Sequence, residues 1–289
     1  MGTLLANEPM SKYTSWRVGG PAEKMFLPEG KDDLIAYLSA LPKQEPIYWL
    51  GLGSNLLVRD GGIKGTVINT RGRLKVMQLI DSEKVYVEAG VPCAHVARFC
   101  TELGLAGAEF LAGIPGTMGG ALKMNAGAFG SETWHIVENV EMVNSKGDVF
   151  KRKAEQFEVE YRSVKGFSGE WFLAVELKLK QGVSEASQQK IKVLLEKRAL
   201  TQPTNKPTCG SVFKNPPGDY AARLIEACGL KGYVQGGACV SEKHANFIEN
   251  TGNATAEDIE SLIAYIQQQV KQKHDVSLNT EVCRIGEVL

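Results

Sequence analysis

Two glycine-rich, nearly uncharged segments constrain this chain more than anything else in it. The first is Gly51-Leu52-Gly53-Ser54-Asn55-Leu56-Leu57-Val58, directly after the apolar run Ile47-Tyr48-Trp49-Leu50. The second is Gly113-Ile114-Pro115-Gly116-Thr117-Met118-Gly119-Gly120-Ala121, continuing to Asn125-Ala126-Gly127-Ala128-Phe129-Gly130. Glycine lets backbone come close to backbone or to a ligand, and successive N–H groups in such turns can hold a pyrophosphate. Either segment alone also reads as a tight turn between strands. Two of them, both poor in charge, favour a dinucleotide held by main chain rather than by Arg or Lys. Neither is a common nucleotide loop. The first lacks the third glycine of the dinucleotide fingerprint, and no Gly-Lys-Ser/Thr follows either.

Composition narrows the class by exclusion. A length of 289 residues suits two domains or one large one. Lys and Arg (33) balance Asp and Glu (33), which removes the basic footprint of a nucleic-acid binder. No apolar run approaches a membrane span, and the N-terminus has no basic flank leading into an apolar h-region. The six cysteines form no CxxC pair and the four histidines are scattered. They read as buried thiols of a cytoplasmic protein, with no metal site.

Strands and helices alternate along the chain. Ile47–Leu50, Thr66–Ile68, Val85–Ala89, Val137–Asn144 and Phe172–Leu179 read as strands. Leu34, Ile35, Leu38 and Leu41 fall at helical spacing, as do Val96, Ala97, Cys100 and Leu103 ahead of Gly104. A polar stretch from Gln181 to Lys190 leads into helical spacing at Ile191, Leu194 and Leu195. Asp219 is the expected cap of a helix carrying Leu224, Ile225 and Cys228, ended by Gly229. The clearest helix spans 256–273, with Thr255 and Asp258 as a capping box. The proline-bearing, non-periodic run Gln202–Thr208 is the main boundary candidate.

Further motifs lie around that boundary: Tyr161-Arg162-Ser163, Cys209-Gly210-Ser211-Val212-Phe213-Lys214-Asn215-Pro216 and Leu278-Asn279-Thr280-Glu281-Val282. Alone, Arg162 reads as a surface cation, Ser211 as a turn residue and Glu281 as a solvated strand residue. Should they converge, an interdomain cleft is the expected place. Together with Thr14 to Ala22, Leu224-Ile225-Glu226, Gly229-Leu230-Lys231-Gly232 and Lys243-His244-Ala245-Asn246-Phe247, these motifs run nearly end to end. In that order the chain resembles the UDP-N-acetylenolpyruvoylglucosamine reductases, flavoenzymes of peptidoglycan synthesis.

The resemblance implies an α+β fold: a two-lobed FAD-binding domain of the vanillyl-alcohol-oxidase (PCMH) type and a C-terminal α/β substrate-binding domain. Lobe one would be residues 1–78, lobe two 79–198 and the substrate domain 199–289, with a soft last boundary because some members return their final residues to the first lobe. Only 49 positions separate Arg162 from Ser211, so the chain resembles the shorter subclass without an inserted tyrosine-bearing loop. Asn279 stands where the family often has an acidic residue.

By the same resemblance, NADPH reduces FAD and the reduced flavin passes hydride to C3 of the enolpyruvyl group of UDP-GlcNAc-enolpyruvate. Arg162 would hold the charge that develops, Glu281 would donate to it in protonated form, and Ser211 would protonate C2. FAD would be held by Gly51, Gly53, Ser54, Asn55, Leu56, Leu57, Gly113, Ile114, Pro115, Gly116, Gly119, Gly120, Ala121, Asn125, Ala126 and Gly127. Lys214, Asn215, Arg223 and His244 are the candidate substrate contacts. Two other readings stand beside this one. A different FAD oxidoreductase on the same fold would leave the Ser211 and Glu281 motifs unexplained. A non-catalytic UDP-sugar-binding module would keep its activity without Ser211.

Overall fold

The computed structural model describes residues 1–289. Its first seven strands are β1 (Thr3–Pro9), β2 (Pro21–Leu27), β3 (Ile47–Leu50), β4 (Leu56–Val58), β5 (Ile63–Asn69), β6 (Met77–Asp81) and β7 (Lys84–Glu88). The helices are α1 (Lys31–Ala40), α2 (Cys93–Glu102), α3 (Met118–Met124), α4 (Ser184–Thr201), α5 (Ala221–Ala227) and α6 (Ala256–His274). No helix is long and apolar enough to cross a membrane. The chain forms two compact units. One holds Met1–Leu5, Met25–Leu52 and Gly65–Lys197; the other holds Ala6–Lys24, Gly53–Lys64 and Arg198–Leu289.

The first unit is built on a five-stranded antiparallel sheet. Its order is Val149–Lys153, Val137–Asn144, Glu170–Lys178, β7, β6. Alternation along these strands buries side chains on both faces. Val85, Val87, Val140, Met142, Val175 and Leu177 pack with Val96, Ala97 and Cys100 of α2 and with Met118 and Leu122 of α3. Val143 and Leu173 instead join Leu34 and Leu38 of α1 and Ile68 of β5. Lys31 fastens the start of α1 to the sheet, donating to Glu141 at 2.8 Å and to the Tyr86 hydroxyl at 3.3 Å. A smaller sheet has the order β1-β2-β5-β3, and β3 runs parallel to β5 from Ile47↔Thr66 to Leu50↔Asn69. That pairing delivers the chain from Leu50 into the first glycine segment.

The polar stretch before Ile191 is helical from Ser184, so α4 begins well before its apolar spacing does. Its Glu, Ala, Gln and Lys are good helix formers, and two side chains anchor it. Buried Glu109 accepts from the Ser187 hydroxyl at 2.8 Å and from Lys190 at 3.1 Å, and also from the Gly107 amide at 3.1 Å.

In the second unit the expected capping box of α6 is present. Thr255 Oγ1 accepts from the Asp258 amide, and Asp258 accepts from the Thr255 amide, both at 3.0 Å. Asp60 adds a second cap, accepting from the amides of Ala256 (3.1 Å) and Glu257 (3.0 Å). The apolar stripe Ile259, Leu262, Ile263, Ile266 and Val270 is fully buried against Leu224, Ile225, Ile248, Phe213 and Trp16. A three-stranded sheet (Val234–Gln235, Ala238–Val240, Ile248–Asn250) completes this core. α5 starts at Ala221 rather than directly after Asp219. The Asp219 side chain turns to the Tyr220 amide and to Arg223, and Asn215 caps the helix instead, accepting from the Ala221 amide at 3.1 Å. A residue six positions upstream does the capping, which no local pattern announces.

Glu109 carries the attachment of α4. Burial raises its carboxyl, but the bonds from Ser187, the backbone and Lys190 outweigh that and hold it below 4.5. Its contribution is therefore complete above the unfolded carboxyl value and is lost as pH falls through the lower native one. Glu109→Ala should cost about 1–3 kcal/mol at neutral pH and less in acid, read by chemical denaturation across pH. A difference that grows in acid would remove Glu109 from this role.

Candidate active site

The first glycine segment is shaped by contacts that no side chain could share. A Cβ on Gly51 would lie 2.4 Å from the Thr117 hydroxyl. Gly53 has φ +63°, and a Cβ there would lie 2.0 Å from the Tyr13 carbonyl oxygen. The Ser15 amide donates to the Gly53 carbonyl at 3.0 Å and holds the turn. Ser54, Asn55 and Leu56 are half-buried, while Leu57 points fully into the core of its unit.

The second segment runs through a 3-10 turn (Glu109–Gly113) into α3. Amides of Met118 and Gly119 donate to Val91 (2.9 Å) and Ala89 (2.8 Å), which ties the first turn of α3 to the strand end. Gly119 permits that approach, since its Cβ would meet the Ala89 Cβ at 3.0 Å. Gly120 is different. It is exposed, and the nearest atom to a Cβ there would be Thr117 Oγ1 at 3.8 Å. Ile114, Ala121 and Ala126 are buried, while Pro115 is exposed and Gly116 half-buried. α3 ends on Asn125 in the left-handed region (φ +46°). The Asn125 side chain joins three places: it accepts from the Trp134 amide (3.1 Å) and donates to Glu132 (2.8 Å) and to the Glu160 carbonyl (3.2 Å).

Arg162 lies against the end of this segment. Its guanidinium donates to the carbonyls of Asn125 (3.2 Å) and Gly127 (3.0 Å), with Glu132 3.8 Å away and the Tyr161 ring 4.9 Å below. The residue is itself in the left-handed region, at φ +53°, and its side chain is only 16% exposed. A cleft of about 370 Å³ opens beside it, lined by Asn125, Glu132, Trp134, His135 and Tyr161 among others.

In the second unit Ser211 and Glu281 stand on adjoining segments. The Glu281 amide donates to the Val212 carbonyl at 2.8 Å, the Lys214 amide to Asn279 at 2.9 Å, and Phe213 bridges Thr280 in antiparallel fashion. Asn246 fixes the Ser211 segment from the other side. Its carbonyl accepts from the Val212 amide (2.9 Å), and its side chain accepts from the Phe213 amide (3.0 Å) and donates to the Phe213 carbonyl (2.8 Å). His244 is half-buried, with Nδ1 accepting from the Asn246 amide at 3.3 Å and its ring edge-on to Phe247; burial holds it below the usual imidazole range. Arg223 lies on the surface with its guanidinium on Asp219, whose carboxyl that contact brings down to about 2. Asn215 is occupied on its oxygen by the cap of α5. The motifs named Asn125 as a flavin contact and held Asn246 only as a neighbour of His244, and nothing local marked Glu132.

The segments fit a flavin adenine dinucleotide. Glycines meet protein on one side at Gly51, Gly53 and Gly119, and Gly120 presents bare main chain to open space. Bare main chain of this kind suits a cofactor held by backbone rather than by charged side chains.

Comparison with known proteins shows an FAD binding domain in this chain. Residues 22–152 match the FAD binding domain family, and residues 202–285 match the C-terminal domain of UDP-N-acetylenolpyruvoylglucosamine reductase. The chain is 60% identical over 286 residues to the UDP-N-acetylenolpyruvoylglucosamine reductase of Methylococcus capsulatus, covering 99% of this chain and 94% of that protein. It is 50% identical over 304 residues to the enzyme of that name from Coxiella burnetii, covering 99% and 96%. The crystal structure of UDP-N-acetylenolpyruvylglucosamine reductase from Thermus caldophilus superposes with a TM-score of 0.82 at 33% identity over 98% of both chains.

Two glycines separate packing from ligand approach. Gly53→Ala forces an L side chain into a left-handed turn and against the Tyr13 carbonyl, and should lower stability by at least about 1–2 kcal/mol in thermal unfolding. Gly120→Ala lies in a helix facing open space and should leave stability equal or raise it by about 0.5–1 kcal/mol. It should nonetheless weaken flavin retention about tenfold, because an added methyl group there crowds the ligand. Fluorescence titration of flavin release measures this; unchanged retention would mean that Gly120 does not touch the cofactor.

Proposed function

The chain belongs to the UDP-N-acetylenolpyruvoylglucosamine reductase family, and on that premise we propose how its residues share the work. It is an FAD-dependent oxidoreductase of peptidoglycan precursor synthesis that uses NADPH to reduce UDP-GlcNAc-enolpyruvate to UDP-N-acetylmuramate. Residues 1–78 and 79–198 are assigned to the two flavin-binding lobes and 199–289 to the substrate domain; the family matches support a boundary near residue 200, while residues 6–24 and 53–64 pack in one compact unit with the C-terminal part. The flavin contacts are the two glycine segments, from Gly51 to Leu56 and from Gly113 to Gly127, while Leu57, expected to join them, lies in the core instead. A reaction that consumes NADPH and a nucleotide sugar fits the cytoplasm, as do six cysteines with no disulfide among them.

Bound FAD would take two electrons from NADPH and pass them to C3 of the enolpyruvyl double bond. The protein's part is to stabilise the charge that results and to complete the product with a proton. As C3 gains hydrogen, negative charge grows at C2 and into the adjoining carboxylate. Arg162 is permanently charged and has a fixed orientation, so it holds that carboxylate without reorganising during the step. Glu281 donates a hydrogen bond to the same oxygens. Ser211 gives its hydroxyl proton to C2, and solvent restores it. A serine hydroxyl is a weak acid, so the transfer depends on a strongly basic C2 and on accurate placement.

Lys214, Asn215, Arg223 and His244 are the proposed substrate contacts, with Lys214 the cation nearest in sequence to Ser211. The observation that carries the proton-transfer assignment is the 2.8 Å hydrogen bond from the Glu281 amide to Val212, which sets the two segments side by side.

The test follows the flavin absorbance under anaerobic conditions. One equivalent of NADPH should bleach the oxidised band, and UDP-GlcNAc-enolpyruvate should restore it. Ser211→Ala should bleach at the normal rate and recover roughly 100-fold or more slowly. Recovery at the normal rate would remove Ser211 as proton donor. A wild-type band that bleaches and never recovers would overturn the substrate assignment while keeping the flavin site.

A further inference from the structure

Asn55 falls within the first glycine segment, yet its side chain reaches across 226 positions to the neighbourhood of Glu281. Its Nδ2 donates to the Glu281 carbonyl oxygen at 3.1 Å. Its own carbonyl accepts from the Cys283 amide at 3.1 Å. One asparagine thus holds the main chain on both sides of buried Val282. The Glu281 amide is meanwhile bonded to Val212, so both peptide groups of Glu281 are fixed, one by the flavin loop and one by the Ser211 segment.

The same loop is gripped from the Ser211 side. The Cys209 sulfur lies 3.7 Å from the Gly53 carbonyl and 3.6 Å from the Leu56 carbonyl, on the segment that reaches Ser211 two residues later. Burial pushes this thiol up to about 12, so it remains a protonated donor at any working pH.

We propose that Asn55 is a positioning residue for Glu281, and that Asn55 and Cys209 lock the flavin loop and the two proton-handling segments into one body. The inference rests on the reading of Glu281 and Ser211 given above. Its physical content is registration. The cofactor meets the loop 53–56, and the proton donors are bonded to that loop rather than to a separate support. The distance from cofactor to donors is then set by a few short hydrogen bonds, and a displacement of about 1 Å in such a distance can cost roughly 100-fold in rate.

Asn55→Asp keeps the shape of the side chain and replaces the donor with an acceptor facing the Glu281 carbonyl. Measured on the flavin-loaded variant, reoxidation by UDP-GlcNAc-enolpyruvate should slow by about 30- to 100-fold more than flavin reduction by NADPH does. In a Glu281→Gln background the same change should add less than about threefold, because a residue that acts through Glu281 has nothing further to lose. Amide exchange at Glu281 in the flavin-loaded protein should accelerate in the variant. If Asn55→Asp does not fold, Asn55→Ser removes the amide without adding charge and enters the same cycle.

Glu281→Gln slow but Asn55→Asp at the wild-type rate would overturn the positioning role alone. Glu281→Gln at the wild-type rate would overturn the underlying reading and this inference with it. Full multiplication of the two effects in the double variant would place Asn55 in flavin binding only and overturn the coupling.

Discussion

A parallel ladder of three residue pairs carries much of the second unit. β4 lies beside Cys283–Ile285 in the register Cys283↔Leu56, Arg284↔Leu57, Ile285↔Val58. Backbone bonds extend it at both ends, from the Cys283 amide to Asn55 (3.1 Å) and from the Glu287 amide to Gly62 (2.8 Å). Glu260 of α6 receives Arg59 through two bonds (2.8 and 3.0 Å) and Arg284 through a third (3.2 Å), so the longest helix of the chain is fastened to both strands. Closing a loop of more than 200 residues has an entropic cost, but that cost grows only with the logarithm of its length. Once the ladder forms, Glu281 and the flavin loop are neighbours with no further ordering required.

Backbone strain in the first unit is concentrated where Arg162 meets the second glycine segment. Asn125, Phe129 and Arg162 all adopt positive φ, at +46°, +56° and +53°. Such a conformation costs an L-residue about 1–2 kcal/mol, least for asparagine. Two contacts offset it. The Phe129 ring occupies the space beside Gly113, where a Cβ would come within 2.3 Å of it, and the Arg162 guanidinium closes onto the carbonyls of Asn125 and Gly127. The outcome is a cation seated on two main-chain carbonyls and paired with Glu132 at 3.8 Å, whose carboxylate also accepts from the Asn125 side chain.

How much of this was legible depended on the range of the signal. The capping box and apolar stripe of α6 are written within one turn and a few residues, and the structure reproduces them. The glycine segments were legible because only glycine tolerates what Gly53 and Gly51 meet. The start of α4 was not, since an amphipathic signal is absent from a helix whose one buried residue, Ser187, is polar. The cap of α5 was misplaced because Asp219, a good capping type, is drawn to Arg223 four residues on. The roles of Asn55, Asn125 and Asn246 were invisible, since each depends on partners brought near only by the finished fold.

Those asparagines share a physical logic. Asn125 joins Trp134, Glu132 and Glu160; Asn246 takes both the amide and the carbonyl of Phe213; Asn250 donates to the Trp16 carbonyl and accepts from Gly252 and Ala254. Each amide donates and accepts at once, so one short side chain can satisfy two buried main-chain groups that would otherwise cost about 1–3 kcal/mol apiece. A carboxylate or an amine could form only half of these bonds, and would bring an uncompensated charge near groups whose task is to respond to charge. An active site that must stabilise a transient anion and release a proton is best braced by neutral dipoles. In the proposed mechanism, those braces leave charge and proton transfer to Arg162, Ser211 and Glu281.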